Sequence, residues 1–177
     1  MLTLILLRHA KSSWDDPGLD DFDRPLAKRG RKAAPEVGSA LARMGLRPDL
    51  VLCSTAVRTR QTLEIVLEEL GSPAPRVIFD ESLYMATSDR LIKRLHAVGA
   101  DETGALPSTV MMVGHNPGLE ELAMRLVGRG AADDTARMSA KFPTAAVAVI
   151  AFDADHWTAL APGDGRLEHF LTPKRLA

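Results

Sequence analysis

Two histidines and two arginines stand where chemistry on a phosphoryl group would need them. Arg8-His9 follows the apolar run Leu2–Leu7, Arg58 comes shortly after Leu50-Val51-Leu52-Cys53, and His115 follows Thr109–Val113. A guanidinium presents a planar fork of N–H donors that matches phosphate oxygens, so Arg8 and Arg58 suit a phosphoryl group. Imidazole has an ordinary pKa of about 6.5, so much of it is neutral and nucleophilic near pH 7. A neutral ring nitrogen attacking phosphorus gives a phosphohistidine intermediate. The arginines, and a second imidazole if protonated, would stabilise charge on the equatorial oxygens. This scheme calls for no metal and no cofactor. Each residue alone has a plainer reading: a histidine after a strand is commonly a turn residue, and an arginine early in a helix commonly faces water. Their recurrence at three strand ends is what points to one site.

The elements that must position them are legible as alternating segments. Leu2–Leu7, Leu50–Cys53, Arg76–Phe79, Thr109–Val113 and Ala145–Phe152 read as strands, with Gly165–Leu171 as a final edge strand. Helical spacing falls on Leu26–Met44, with Pro35 predicting a kink or a late start, and on Thr55–Leu70, Ser88–Val98 and Pro117–Val127. Lys11–Arg24 is polar and turn-like. Continuous apolar strands alternating with helices predict a three-layer α/β/α fold around a mostly parallel sheet. In such folds ligands bind outside the carboxyl ends of the strands. A helix start near Arg58 would add N–H groups and a positive dipole end.

Composition excludes other classes. The 177 residues suit one domain over residues 1–177. With 22 Lys+Arg against 23 Asp+Glu, the chain lacks the basic excess of a nucleic-acid or membrane-surface binder, so neither is expected as a partner. Aromatics at 5% leave little for base stacking. One cysteine cannot form an internal disulfide, and no run approaches the ~20 apolar residues of a membrane helix, so a soluble, cytoplasmic protein is expected. Cys53 and Arg58 raise the alternative of a thiolate phosphatase. Only four residues separate them, however, one short of a Cys-x5-Arg loop, and the stretch has no glycine to let N–H groups converge. His96, His156 and His169 show no metal-ligand spacing and read as ordinary residues.

Leu6-Leu7-Arg8-His9-Ala10-Lys11-Ser12 resembles the signature of the histidine phosphatase superfamily, the phosphoglycerate-mutase-like proteins, with Ala10 where the family motif has Gly. The Ala form is similar to that of the SixA-type phosphohistidine phosphatases. Arg24-Pro25-Leu26-Ala27-Lys28-Arg29-Gly30 resembles the family's Arg-Pro-Leu-Thr-x-x-Gly segment. Ser54 to Thr62 resembles its Ser-x-x-x-Arg-x-x-Gln-Thr segment, and Val113-Gly114-His115-Asn116-Pro117 its second-histidine motif. The resemblance implies a phosphoglycerate-mutase-like fold, His9 as nucleophile, and Arg8, Arg58 and His115 as the rest of the phosphate pocket. It also implies Arg24 as a further phosphate contact, against the alternative that Arg24 pairs with Asp21 or Asp23. Ser12 and Asp15 match positions that line the pocket.

The general acid is where the match ends. In Phe79-Asp80-Glu81-Ser82-Leu83-Tyr84-Met85 the family's acid position falls on Met85, which carries no proton to give; Glu81 is the nearby candidate. A phosphoramidate needs less acid help than an alkyl phosphate, because its imidazole leaves readily once the distal nitrogen is protonated. The expectation is therefore a phosphatase acting on a phosphorylated protein, as phosphohistidine. The alternatives are hydrolysis of a small phosphorylated metabolite, and binding of a phosphorylated ligand without turnover.

Overall fold

The computed structural model describes all 177 residues. Seven strands form one sheet in the order β3-β2-β4-β1-β6-β7-β5. Their ranges are β1 Leu2–Arg8, β2 Leu50–Cys53, β3 Arg76–Phe79, β4 Thr109–Gly114, β5 Val127–Gly130, β6 Val147–Phe152 and β7 Gly165–Leu171. The pairs β2–β3, β2–β4, β1–β4 and β5–β7 are parallel, whereas β6 runs antiparallel to both β1 and β7. The helices are α1 Lys28–Arg43, α2 Val57–Leu70, α3 Ser88–His96, α4 Gly118–Leu126, α5 Ala132–Ala140 and α6 Pro173–Leu176.

Side-chain alternation in the central strands builds the three layers. In β1, Leu4 and Leu6 enter a core shared with Leu91 and Leu95 of α3 and Leu119 and Leu122 of α4. Ile5 and Leu7 enter the opposite core with Val37 and Leu41 of α1 and Leu63 and Val66 of α2. Both faces are covered, which is why these strands read as unbroken apolar runs. The expected α/β/α architecture is therefore the one observed. No helix is long and apolar enough to cross a membrane.

The helix α1 runs from Lys28 through Arg43 with Pro35 inside it, so Pro35 does not delay its start. β7 is not the edge strand, because β5 pairs outside it. Both β5 and α5 lie where no periodic apolar pattern marks an element. Two of the four residues of β5 are glycines, and Gly128 packs so closely that a Cβ would lie 1.9 Å from the Gly163 carbonyl oxygen. Backbone proximity across a long sequence separation, not side-chain pattern, selects that strand.

Candidate active site

The sheet order places the carboxyl ends of β2, β4 and β1 side by side, with Arg8 in register with Gly114 and Cys53 with Val113. His9, His115 and the α2 residue Arg58 therefore emerge at one end of the sheet. All three are buried. The rings of His9 and His115 lie 5.4 Å apart, and Tyr84 stands edge-on to His115 at 5.2 Å.

His9 has one ring nitrogen committed. Its Nδ1 lies 2.7 Å from the Ala10 carbonyl oxygen. A carbonyl only accepts, so Nδ1 carries the proton and the Nε2 lone pair is left available. Burial, assisted by the positive charges of Arg58, Arg8 and Arg24, lowers the His9 pKa to about 4, against the opposing pull of the Ala10 carbonyl. Burial and then Arg58 lower His115 to about 3. Burial thus disfavours the imidazolium form of His115, the form in which it would act as a cation. His115 Nε2 lies 2.7 Å from Ser54 Oγ, while its Nδ1 is buried without a partner. Arg8 donates from Nη1 to the Phe142 carbonyl oxygen at 2.9 Å, and its Nε is likewise buried and unpartnered. Two polar nitrogens therefore stay unpaired in the interior around the histidine pair, an unsatisfied arrangement that is uncommon in folded proteins.

Asp21 knits the arginines together. Arg58 donates to the Asp21 carbonyl oxygen (2.6 Å) and to its carboxylate (2.9 Å). Arg24 donates from Nη1 to the same carboxylate at 2.9 Å, and Tyr84 donates its hydroxyl there. The Tyr84 hydrogen bond, then Arg58 and Arg24, hold Asp21 near a pKa of about 2 despite the opposing effect of partial burial. Arg24 also donates to Ser12 Oγ (2.6 Å) and to the Ser13 carbonyl (2.9 Å). It therefore pairs with Asp21, not Asp23, and three of its five N–H groups are engaged within the protein. Asp21 and Tyr84 were not singled out from sequence as site residues. The Asp21 to Arg24 spacing was their one visible trace.

The motif residues around the site hold it rather than face it. Thr62 Oγ1 accepts from the Ala10 N–H at 3.0 Å and donates to the Arg58 carbonyl at 2.7 Å, fixing the nucleophile loop to α2. Gln61 Oε1 accepts from the Leu26 N–H at 2.8 Å. Gly30 lies against the Lys11 backbone, where a Cβ would meet the carbonyl oxygen at 2.2 Å. Met85 takes a positive φ of 49° and brings Sδ to 4.0 Å from Arg58 Nη2. Glu81 is exposed at the head of a 3-10 turn, Glu81–Leu83, and bonds to no group of the pocket. Asp15 is exposed, its N–H donating to Ser13 Oγ. Cys53 is fully buried, and burial pushes its thiol up to about 12, which removes the thiolate alternative. No three His, Cys, Asp or Glu side chains cluster as a metal site would need.

Comparisons with known proteins bear on the family and the fold. Residues 4–84 match the model of the histidine phosphatase superfamily, branch 1. An uncharacterized protein of Mycobacterium tuberculosis is 39% identical over 170 residues, spanning 95% of this chain and all of that one. The crystal structure of an Agrobacterium tumefaciens protein assigned as phosphohistidine phosphatase SixA superposes with a TM-score of 0.78 at 32% identity, covering 97% of this chain and 98% of that one. A Nakamurella multipartitia protein with the same assignment gives 0.80 at 30% identity, covering 97% and 96%. The chain belongs to the histidine phosphatase superfamily, in its SixA-type branch.

Proposed function

We propose that the protein hydrolyses phosphohistidine on a protein substrate through a phosphoenzyme intermediate on His9. The observation that carries this is the His9 ring: Nδ1 is tied to the Ala10 carbonyl, and Nε2 is neutral among Arg8, Arg58 and His115. In the first step Nε2 attacks phosphorus, and the bond from phosphorus to the substrate's imidazole nitrogen breaks. Its electron pair goes to that nitrogen. A substrate ring protonated at its distal nitrogen leaves as neutral imidazole, so the enzyme supplies no proton. Arg8 and Arg58 hold the transferred oxygens, and His115, whose ring lies 5.4 Å from that of His9, stands beside them. Arg24 and Ser12 brace this cradle and reach the same group. In the second step water attacks the phosphorus of phospho-His9, releasing phosphate and restoring the neutral ring.

Met85 supports the choice of substrate, since the resemblance puts it at the family's acid position and its thioether, 4.0 Å from Arg58 Nη2, has no proton to give an alkoxide. The test compares turnover of a histidine-phosphorylated peptide with a panel of alkyl phosphates. The proposal predicts a kcat/KM at least about 100-fold higher for the peptide, the span of general acid assistance that an alkoxide would require. Equal or better turnover of an alkyl ester contradicts it. Binding of phosphopeptide with no turnover identifies a binding module instead.

A further inference from the structure

A groove of about 1090 Å³ opens beside the site, and five of the side chains lining it are exposed cations: Lys11, Arg29, Lys32, Lys141 and Lys174. None of the five is in an ion pair. Arg137 and Arg175 also line it but are matched by Asp133 and Asp134. Glu36 is the one acidic side chain in the lining. In a chain of net charge -1 this is a local accumulation, not a general one.

The topology puts the groove at the catalytic end of the sheet. Lys11 lies two residues beyond His9. The start of β6 and the end of β7 meet there, with Leu7 in register with Val147 and Val147 with Leu171. The segment after Lys141 runs directly into the site: the Phe142 carbonyl accepts from Arg8, and the Ala145 N–H donates to the His9 carbonyl at 3.0 Å. Arg29 and Lys32 come from the first turns of α1, whose Gly30 is pressed on Lys11.

We infer that this groove docks an acidic segment of the phosphorylated protein next to its phosphohistidine. The inference rests on the proposed function and names what distinguishes its substrates. The groove is far larger than one phosphate needs, and its charge is carried by flexible lysines suited to carboxylates. Its aromatic floor, Phe170, is buried and offers no surface on which a base could stack. Unpaired cations at a rim speed encounter with an acidic partner and do so less as salt rises.

The test uses two chemically phosphorylated histidine peptides, one flanked by glutamates and one by serines. The expected result is a kcat/KM about tenfold higher for the glutamate peptide at low ionic strength, shrinking with added salt. The preference disappears in Lys32→Glu/Lys141→Glu/Lys174→Glu, whose turnover of p-nitrophenyl phosphate is unchanged. No preference in the wild type, or a preference that survives the triple substitution, overturns the inference. If the wild type turns over p-nitrophenyl phosphate but neither peptide, the proposed function fails. The groove is then read separately, by fluorescence anisotropy of the unphosphorylated glutamate peptide. Binding lost in the triple variant supports the acidic dock, and no binding in the wild type overturns it. Tighter binding of a single-stranded 20-nucleotide probe at equal salt also overturns it.

Discussion

His9 can attack only as the free base, and its surroundings keep it so. Burial and then three neighbouring guanidiniums disfavour its imidazolium and place its pKa at about 4, while burial and then Arg58 place that of His115 at about 3. An NMR titration of the histidine side chains, assigned with His9→Gln and His115→Gln, is expected to show both rings neutral down to pH 5. A midpoint near 6.5 for His9 contradicts this reading of the pocket. Sequence showed that Arg8, His9, Arg58 and His115 stand at strand ends. It did not show the charge state of His115, because that depends on how deeply three separate elements bury it. Asp21 was hidden for a similar reason: one more aspartate in Asp20-Asp21-Phe22-Asp23 is ordinary until the fold brings Arg58 and Tyr84 to it.

At the scale of elements, the motif spacing reports packing as much as chemistry. Gly30 exists because α1 begins against the Lys11 carbonyl, and Thr62 because α2 must hold both the Ala10 N–H and its own Arg58 carbonyl. Gly30→Ala is therefore expected to push the Lys11 backbone, two residues from the nucleophile. We expect a stability loss of about 1–3 kcal/mol by denaturant melting, the range of overpacked sites, and at least about a tenfold loss of phosphatase kcat/KM. Unchanged melting and activity would show that the contact has room to relax. The helices α1 to α4 were legible because each carries one periodic apolar face, and the central strands because both of their faces are buried and they read as unbroken apolar runs. β5 was not, since Val127-Gly128-Arg129-Gly130 has no such face and pairs only through the distant β7. The two-residue overreach at several helix ends reflects caps that periodicity alone does not mark.

Across the whole molecule, the buried neutral histidines couple folding to pH. Their folded-state pKa values lie below the ordinary 6.5, so in acid the unfolded chain takes up protons that the folded one refuses. Stability is then present above pH 6.5 and is lost as pH falls towards 4 for His9 and towards 3 for His115. His9→Gln should lose about 2 kcal/mol less than the wild type between pH 6.5 and 4.5 in chemical denaturation; identical slopes contradict the burial argument. Strand order brings the ends of the same pocket together: β2, β4 and β1 end side by side, and a balanced net charge conceals cations gathered at that end. What the assembled site must do is carry a phosphoryl group on His9. Rapid quenching of the enzyme with a phosphorus-32-labelled aryl phosphate tests this most directly. Protein-bound label is expected that is acid-labile and alkali-stable, maps to the His9 peptide and is absent from folded His9→Ala. Turnover with no bound label, or label that persists in His9→Ala, would contradict it.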